Sequence, residues 1–154
     1  MRAAVGIEIR RPGLLVGFGL LLIGQLWLML TEVTQWQGIW PMASAAVSAP
    51  WVFLAPAAAG LSAYEASQRE RHAEDAVVWR ATSSSMLVTR MLLATGVVGV
   101  GALCAVVVNI ATAAPPGFLW PSYLVVALSL AIWSVAVGLL IGSFGGPVWF
   151  PPVV

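Results

Sequence analysis

Four long apolar stretches constrain this chain more than any other feature of its sequence. They cover about residues 12–30, 44–64, 86–113 and 121–143, and each is long enough to cross a bilayer as a helix, which takes about 20 residues. No charged side chain lies in the core of any stretch, and the apolar residues lack the alternation of a barrel strand. The sequence therefore predicts an all-α, polytopic membrane protein with four transmembrane helices in a single membrane domain over residues 1–154.

The composition excludes the main soluble classes. Hydrophobic residues make up 60% of the chain and charged residues only 8%, whereas soluble domains carry about 25% charged residues. A disordered chain would need low hydrophobicity and high charge. The net charge of +1 comes without a basic patch, so we expect no nucleic-acid partner. The lone Cys104 cannot form an intrachain disulfide.

The positions of the arginines predict the orientation of the spans. The seven basic residues are all arginines, and they lie before the first span (Arg2, Arg10 and Arg11) or between the second and third (Arg69, Arg71, Arg80 and Arg90). Basic residues collect on the cytoplasmic side. We therefore expect a multi-pass protein of the cell membrane whose N-terminus, 65–85 segment and C-terminus are cytoplasmic. The arginine, alanine and glycine content indicates a bacterial source.

Two local signals predict irregularities in the helices. Pro50 and Pro56 lie in the second span, and proline removes a helical hydrogen bond. They predict a kink or an irregular opening turn. The serine run 83–85 is typical of a helix cap, so we expect it to end the preceding segment and to cap the third span.

The span interiors offer little chemistry. Proton relays and ion-coupled carriers need ionisable groups within the membrane, and none lies in the span cores. We expect no catalytic site, no cofactor and no metal. The carboxylates of Glu70, Glu74 and Asp75 offer an alternative, a metal-dependent enzyme, but nearby arginines can neutralise them and no histidine lies at ligand spacing.

Two amides, Gln25 and Asn109, lie at membrane depth. Each could contact a substrate or line a pathway. Each could equally form an interhelical hydrogen bond, which contributes roughly 0.6–2 kcal/mol. Both interpretations of the two amides stay open on the sequence.

Small residues at helical spacing predict close packing between helices. Glycines four residues apart let helix backbones approach each other. The glycines that we expect to pack on another helix or on a partner are Gly13, Gly17, Gly96, Gly138 and Gly142.

The segment between the second and third spans holds most of the charge. Opposite charges four residues apart, such as Glu65 with Arg69 and Arg71 with Asp75, support a helix. We expect a short amphipathic helix along the inner membrane face, either as a solvated hairpin or as a docking element. Its candidate partner-contacting residues are Glu65, Arg69, Arg71, Glu74, Asp75, Trp79 and Arg80.

A family resemblance favours the docking interpretation. The pattern is Tyr64-Glu65, then Arg69 and Arg71, then Trp79-Arg80-Ala81-Thr82, then Arg90. It resembles the region between the second and third spans of type-2 ATP-binding-cassette exporter permeases, particularly actinobacterial ones. The resemblance implies that residues 65–80 form a coupling helix against a nucleotide-binding subunit. Because such permeases usually have six spans, it also implies that the chain is the N-terminal part of a longer permease.

The resemblance also implies a function for the whole chain. The chain would be the membrane subunit of an exporter, coupling ATP hydrolysis in a separate subunit to substrate movement, since it lacks a phosphate-binding loop of its own. The expected partners are the lipid bilayer and a cytoplasmic ATPase or other membrane subunits, in an oligomer or hetero-complex. The alternative is a non-catalytic structural or accessory subunit of a larger membrane complex.

Overall fold

The computed structural model describes residues 12–70 and 76–143; within them it leaves out the side chains of residues 12, 68–70 and 76–85. No strand occurs in these two ranges. The helices, in chain order, are α1 (Pro12–Thr31), α2 (Val33–Trp36), α3 (Trp40–Ser48), α4 (Trp51–Glu70), α5 (Ala76–Ala111) and α6 (Pro121–Ser143).

Four helical segments are long and apolar enough to cross a membrane. They are Gly13–Thr31, Trp40–Ser67, Met86–Ala111 and Pro121–Ser143, so the predicted four-span, all-α architecture is confirmed. Helices suit such segments because a helix satisfies its own backbone hydrogen bonds where no water is present. The chain is a multi-pass membrane protein.

Most of each span faces outward. Between 28% and 39% of the residues in the most apolar windows are buried inside the protein. Large apolar side chains such as Trp27, Phe53, Ile110 and Trp133 are more than two-thirds exposed. A soluble protein would bury such a surface, and here the hydrocarbon of the bilayer covers it.

The second span is broken at Ala49–Pro50, as its prolines predict. Pro50 has no N–H to continue α3, which ends at Ser48. The Pro50 carbonyl instead accepts the amide of Leu54 at 2.9 Å and so begins α4. Pro56 lies inside α4 without ending it. The span therefore consists of a short first helix, α3, and a long second helix, α4.

The predicted structure of the charged segment is wrong in one respect. The serine run 83–85 does not break a helix, because α5 runs without interruption from Ala76 to Ala111. No separate amphipathic helix stands between the spans in the described part. Residues up to Glu70 continue α4, residues from Ala76 begin α5, and residues 71–75 lie outside the described ranges. Serine is a weak helix breaker, and the apolar residues after it extend the helix back through the run.

The C-terminal end of α5 closes with a left-handed residue. Ala113 has a φ of 52°, and the Ala114 amide donates back to the Asn109 carbonyl at 3.0 Å. The Ala113 amide donates to Ile110 at 3.1 Å. These bonds form a Schellman motif, which satisfies the last carbonyls of the helix.

Helices α4 and α6 form the most extensive helix pair of the bundle. Helix α3 packs against α5 and α6, and α1 packs against α5 and α4. Because four spans alternate in direction, α4 and α6 run parallel. The apolar core between these helices consists of Leu14, Phe18, Leu21, Met29, Trp36, Ala43, Val47, Trp51, Ala58, Ala94, Val97, Val98, Ala105, Ala127, Ala131 and Val135.

Tryptophan and serine side chains join the start of α3 to the connection between α5 and α6. The Trp40 indole N–H donates to the Pro115 carbonyl at 2.7 Å, and the Trp120 amide donates to the Ser44 hydroxyl at 2.8 Å. Gly117 lies against the Trp40 ring, where a Cβ atom would not fit. The start of α3 is therefore fixed to the connection between α5 and α6.

Candidate functional site

An ion pair joins the second and third spans near their predicted inner ends. The Arg90 side chain on α5 is 1% exposed and the Glu65 side chain on α4 is 20% exposed. Arg90 Nη2 donates to Glu65 Oε2. Because a charge in an apolar environment is costly unless it is paired, the pair fixes the register of α4 against α5.

The Arg90 guanidinium can donate more hydrogen bonds than the described residues accept from it. Its Nη1 is buried and has no hydrogen-bond partner among the described residues. The Ser62 hydroxyl, one turn before Glu65 on α4, is also buried and without a partner there. Arg90 itself is absent from the predicted set of partner-contacting residues. Its signal in the sequence is an arginine within an apolar helix, four residues past Met86.

The structure describes only part of the predicted coupling set. Glu65 pairs with Arg90 inside the protein. Residues 69, 79 and 80 belong to the backbones of α4 and α5, but their side chains are not described. Arg71, Glu74 and Asp75 lie outside the described residues.

Gln25 is a fully buried amide between three helices. Its Nε2 donates to the Val47 carbonyl, in the last turn of α3, at 3.0 Å, and to Met29 Sδ at 3.4 Å. A Cβ atom at Gly101 on α5 would lie 2.7 Å from this Nε2, so the absence of a side chain there makes room for the amide. The Gln25 Oε1 atom has no hydrogen-bond partner in the described part of the chain.

Helix α4, the second helix of the second span, begins soon after Val47, the α3 residue that Gln25 contacts. Trp51, the first residue of α4, is 0% exposed. Its indole Nε1 is buried without a partner among residues 12–70 and 76–143. The break at Ala49–Pro50 is therefore flanked by an unpaired acceptor on Gln25 and an unpaired donor on Trp51.

Asn109 is fully buried near the C-terminal end of α5. Its Nδ2 donates to Ala105 of the same helix at 2.9 Å, while its Oδ1 has no partner in the described ranges. Gly101, Ala105 and Asn109 are four residues apart and all buried. They form one stripe of α5, with Gln25 against Gly101 at its N-terminal end.

Glycines of the fourth span lie against alanines of the second. A Cβ atom at Gly138 would overlap the backbone of Ala59, and one at Gly142 would lie 2.5 Å from the Ala63 carbonyl and 2.6 Å from Ala66 Cβ. We call these five residues the small-residue seam. In lipid, such close backbone approach holds helices together by dispersion forces.

The other predicted packing glycines behave differently. Gly17 of α1 lies under the Leu61 side chain, whose atoms would be 2.5–3.2 Å from a Cβ there. Positions 13 and 96 have no atom of another segment within 4 Å of a Cβ among the described residues. Gly13 and Gly96 thus make no close helix contact within this part of the chain.

The described residues contain no group of three His, Cys, Asp or Glu side chains able to hold a metal ion. Cys104 is half-buried on α5. The arrangement instead supplies hydrogen-bonding atoms, one ion pair and tight backbone contacts. No protein-family model matches this chain, and no curated protein and no solved structure is detectably similar to it.

Proposed function

We propose that this chain is a membrane-spanning permease subunit of an ATP-binding-cassette exporter, which couples ATP hydrolysis in a separate subunit to movement of a substrate. The observation that carries the proposal is the buried Glu65–Arg90 pair. It links the two helices that flank the charged segment on which the family resemblance rests.

The ion pair suits a transmission role because of its position. Helices α4 and α5 lead into residues 71–75 from either side. An ATPase subunit that presses on this segment would act on both helices at once, since Glu65 and Arg90 hold them in register. The small-residue seam then carries the displacement of α4 to α6.

The proposed orientation follows from the arginines. Six of the seven lie before the first span or between the second and third, and Arg90 lies in the second turn of the third span. With the charged segment in the cytoplasm, both termini of this chain are cytoplasmic and the Trp40–Pro115 contact is extracytoplasmic. The proposed location is the cell membrane of a bacterium.

The proposed cargo is apolar or amphipathic. Glu65 and Arg90, the charged residues within the four spans, neutralise each other near the inner ends. A charged cargo would meet no compensating charge along the rest of these helices.

The test is reconstitution with the ATPase encoded beside this chain. We expect the Arg69→Glu/Arg71→Glu double substitution to lower co-purification with that ATPase, and the ATPase rate that the chain stimulates, by about tenfold, which corresponds to about 1.4 kcal/mol of binding energy. The matched control is Glu32→Arg, an exposed charge reversal on the opposite side of the proposed topology. Unchanged association and stimulation in the double variant would contradict the coupling role.

The second candidate function is that of a structural or accessory subunit, and a separate observation favours it. Gly96 and Gly99 on α5 are exposed, with no atom of another segment of the described chain within 4 Å of a Cβ position. Exposed glycines allow another membrane helix to approach closely. Deleting the chain would then reduce the abundance of neighbouring membrane proteins, and Gly96→Leu would reproduce that loss. Under the exporter proposal, deletion leaves their abundance unchanged.

A further inference from the structure

Two residues beside the break in the second span carry buried polar atoms that have no hydrogen-bond partner in the described chain. Gln25 is anchored there, because its Nε2 donates to the Val47 carbonyl at the end of α3. Its Oε1 and the Trp51 Nε1 at the start of α4 are both buried and unpartnered. A buried polar group without a hydrogen bond costs about 1–3 kcal/mol. Two such groups beside one helix break indicate a ligand rather than a packing defect.

The two atoms define the chemistry of that ligand. The amide oxygen of Gln25 accepts a hydrogen bond, and the indole N–H of Trp51 can only donate one. A hydroxyl group offers both a proton and an acceptor oxygen, so it complements both atoms. A carboxylate or an ammonium ion does not complement the two atoms, because a buried charge needs an opposite charge beside it. The charged residues of the described spans, Glu65 and Arg90, pair with each other.

A break in a membrane-spanning helix is itself a common position for a ligand. Discontinuous membrane helices place free backbone groups inside the bundle, and transported molecules bind at such breaks. Towards the outer end of the proposed topology, the unpaired Asn109 Oδ1 lies on the same stripe of α5 as Gly101. Gly101 and Asn109 are eight positions apart, which is a rise of about 12 Å along the helix. The stripe thus carries a second polar group between the break and the outer loops.

We propose that the Ala49–Pro50 break is a binding site for a neutral hydroxyl group, recognised by the Gln25 carboxamide oxygen and the Trp51 indole N–H. Binding itself requires only this chain. That the hydroxyl belongs to the cargo rests on the proposed exporter function. The hydroxyl is supplied either by a neutral amphiphile or by water.

The experiment is ¹⁹F NMR of the full chain labelled with 5-fluorotryptophan in lipid nanodiscs, without any ATPase. The Trp51 resonance is assigned as the signal lost in Trp51→Phe, a variant that keeps a ring but removes the N–H. The probes are 1-hexanol and, as an apolar reference, hexane. Trp27, which is 69% exposed, reports general partitioning into the lipid.

We expect 1-hexanol to shift the Trp51 resonance saturably and hexane to leave it in place. Gln25→Met, a variant of similar size and helix propensity, should lose the shift, whereas Leu22→Met, one turn away on α1, should keep it. A solvent-isotope shift in D₂O without a hexanol response assigns the site to water and removes it from cargo recognition.

No response to either probe, or an equal response to hexane, would overturn the site. Should Gln25→Met fail to fold, the hexanol and hexane titrations of the unmodified chain still decide. Because no ATPase is present, failure of the exporter proposal would leave a positive result intact.

Discussion

Helix α4 is held to two other helices of the bundle by opposite means. Against α6 it uses the small-residue seam, where Gly138 and Gly142 bring backbone onto backbone. Against α5 it uses the single charged pair of Glu65 with Arg90. Lipid tails are as apolar as leucine, so neither contact owes its strength to the hydrophobic effect. The seam depends on shape, while the pair depends on charge and can exchange partners. We therefore expect α4 and α6 to move together and the α4–α5 contact to adjust.

The largest effect should come from removing one charge of the pair. Glu65→Leu leaves Arg90 buried without a counter-charge, which should lower the free energy of unfolding by about 3 kcal/mol. Reversible unfolding in mixed SDS and detergent micelles measures it. The double variant Glu65→Leu/Arg90→Met removes both charges and should recover most of the loss. A single variant as stable as the parent chain would show that the pair contributes little.

The next largest change in stability should come from enlarging a side chain in the small-residue seam. Gly138→Ala places a methyl group in the Ala59 backbone, and such overpacking costs about 2 kcal/mol. Gly96→Ala is the matched control, because its methyl group meets open space and alanine favours helix by about 1 kcal/mol. The same unfolding assay should thus give opposite signs. Equal effects at the two positions would contradict the close approach of α4 and α6.

The hydrogen bond between the Trp120 amide and the Ser44 hydroxyl is a weaker, uncharged contact that can be compared with the ion pair. Ser44→Ala removes the acceptor of the Trp120 amide, and a neutral hydrogen bond contributes about 1 kcal/mol. The unfolding free energy should fall by that amount. Ser129→Ala, at an exposed position of α6, is the control and should have no measurable effect. A loss as large as that of Glu65→Leu would show that the Ser44–Trp120 hydrogen bond contributes as much to stability as the ion pair.

The smallest predicted change is a gain. Ala113 adopts a left-handed conformation with a φ of 52°, which costs an L-residue about 1 kcal/mol and glycine almost nothing. Ala113→Gly should therefore raise the unfolding free energy by about 0.5 kcal/mol after the added entropy of unfolded glycine. Ala111→Gly, two residues earlier and still helical, should lower it. A loss at both positions would argue against the Schellman closure.

The sequence was sufficient to predict the elements of the fold whose cause is local. Long uncharged apolar runs have one solution in lipid, so the four spans could be predicted, and Pro50 marked the break in the second. The serine run 83–85 misled because serine only weakly opposes a helix that apolar residues extend from its C-terminal side. The glycine pair 138 and 142 marked a packing face without naming the helix that lies against it.

The candidate site depended on which helices become neighbours. Glu65 looks like a surface charge when it is considered with Arg69 four residues later. Only the arrangement of the helices in the bundle brings it to Arg90, 25 residues away. Trp51 gave no polar signal, because an indole in an apolar run is an ordinary core residue until its N–H is found unpaired. Gln25 was recognisable as an amide at membrane depth, but its contact with Val47 was not.

The length of α5 has a mechanical consequence. Its 36 residues extend about 54 Å at 1.5 Å per residue, while the hydrocarbon layer is about 30 Å thick. The ten residues before Met86 thus form a rigid arm of about 15 Å outside the apolar segment. Arg90, which pairs with Glu65 of α4, lies just beyond the base of that arm. Because the helix is continuous across this point, a sideways displacement at the tip of the arm would tilt the apolar part of α5 with it.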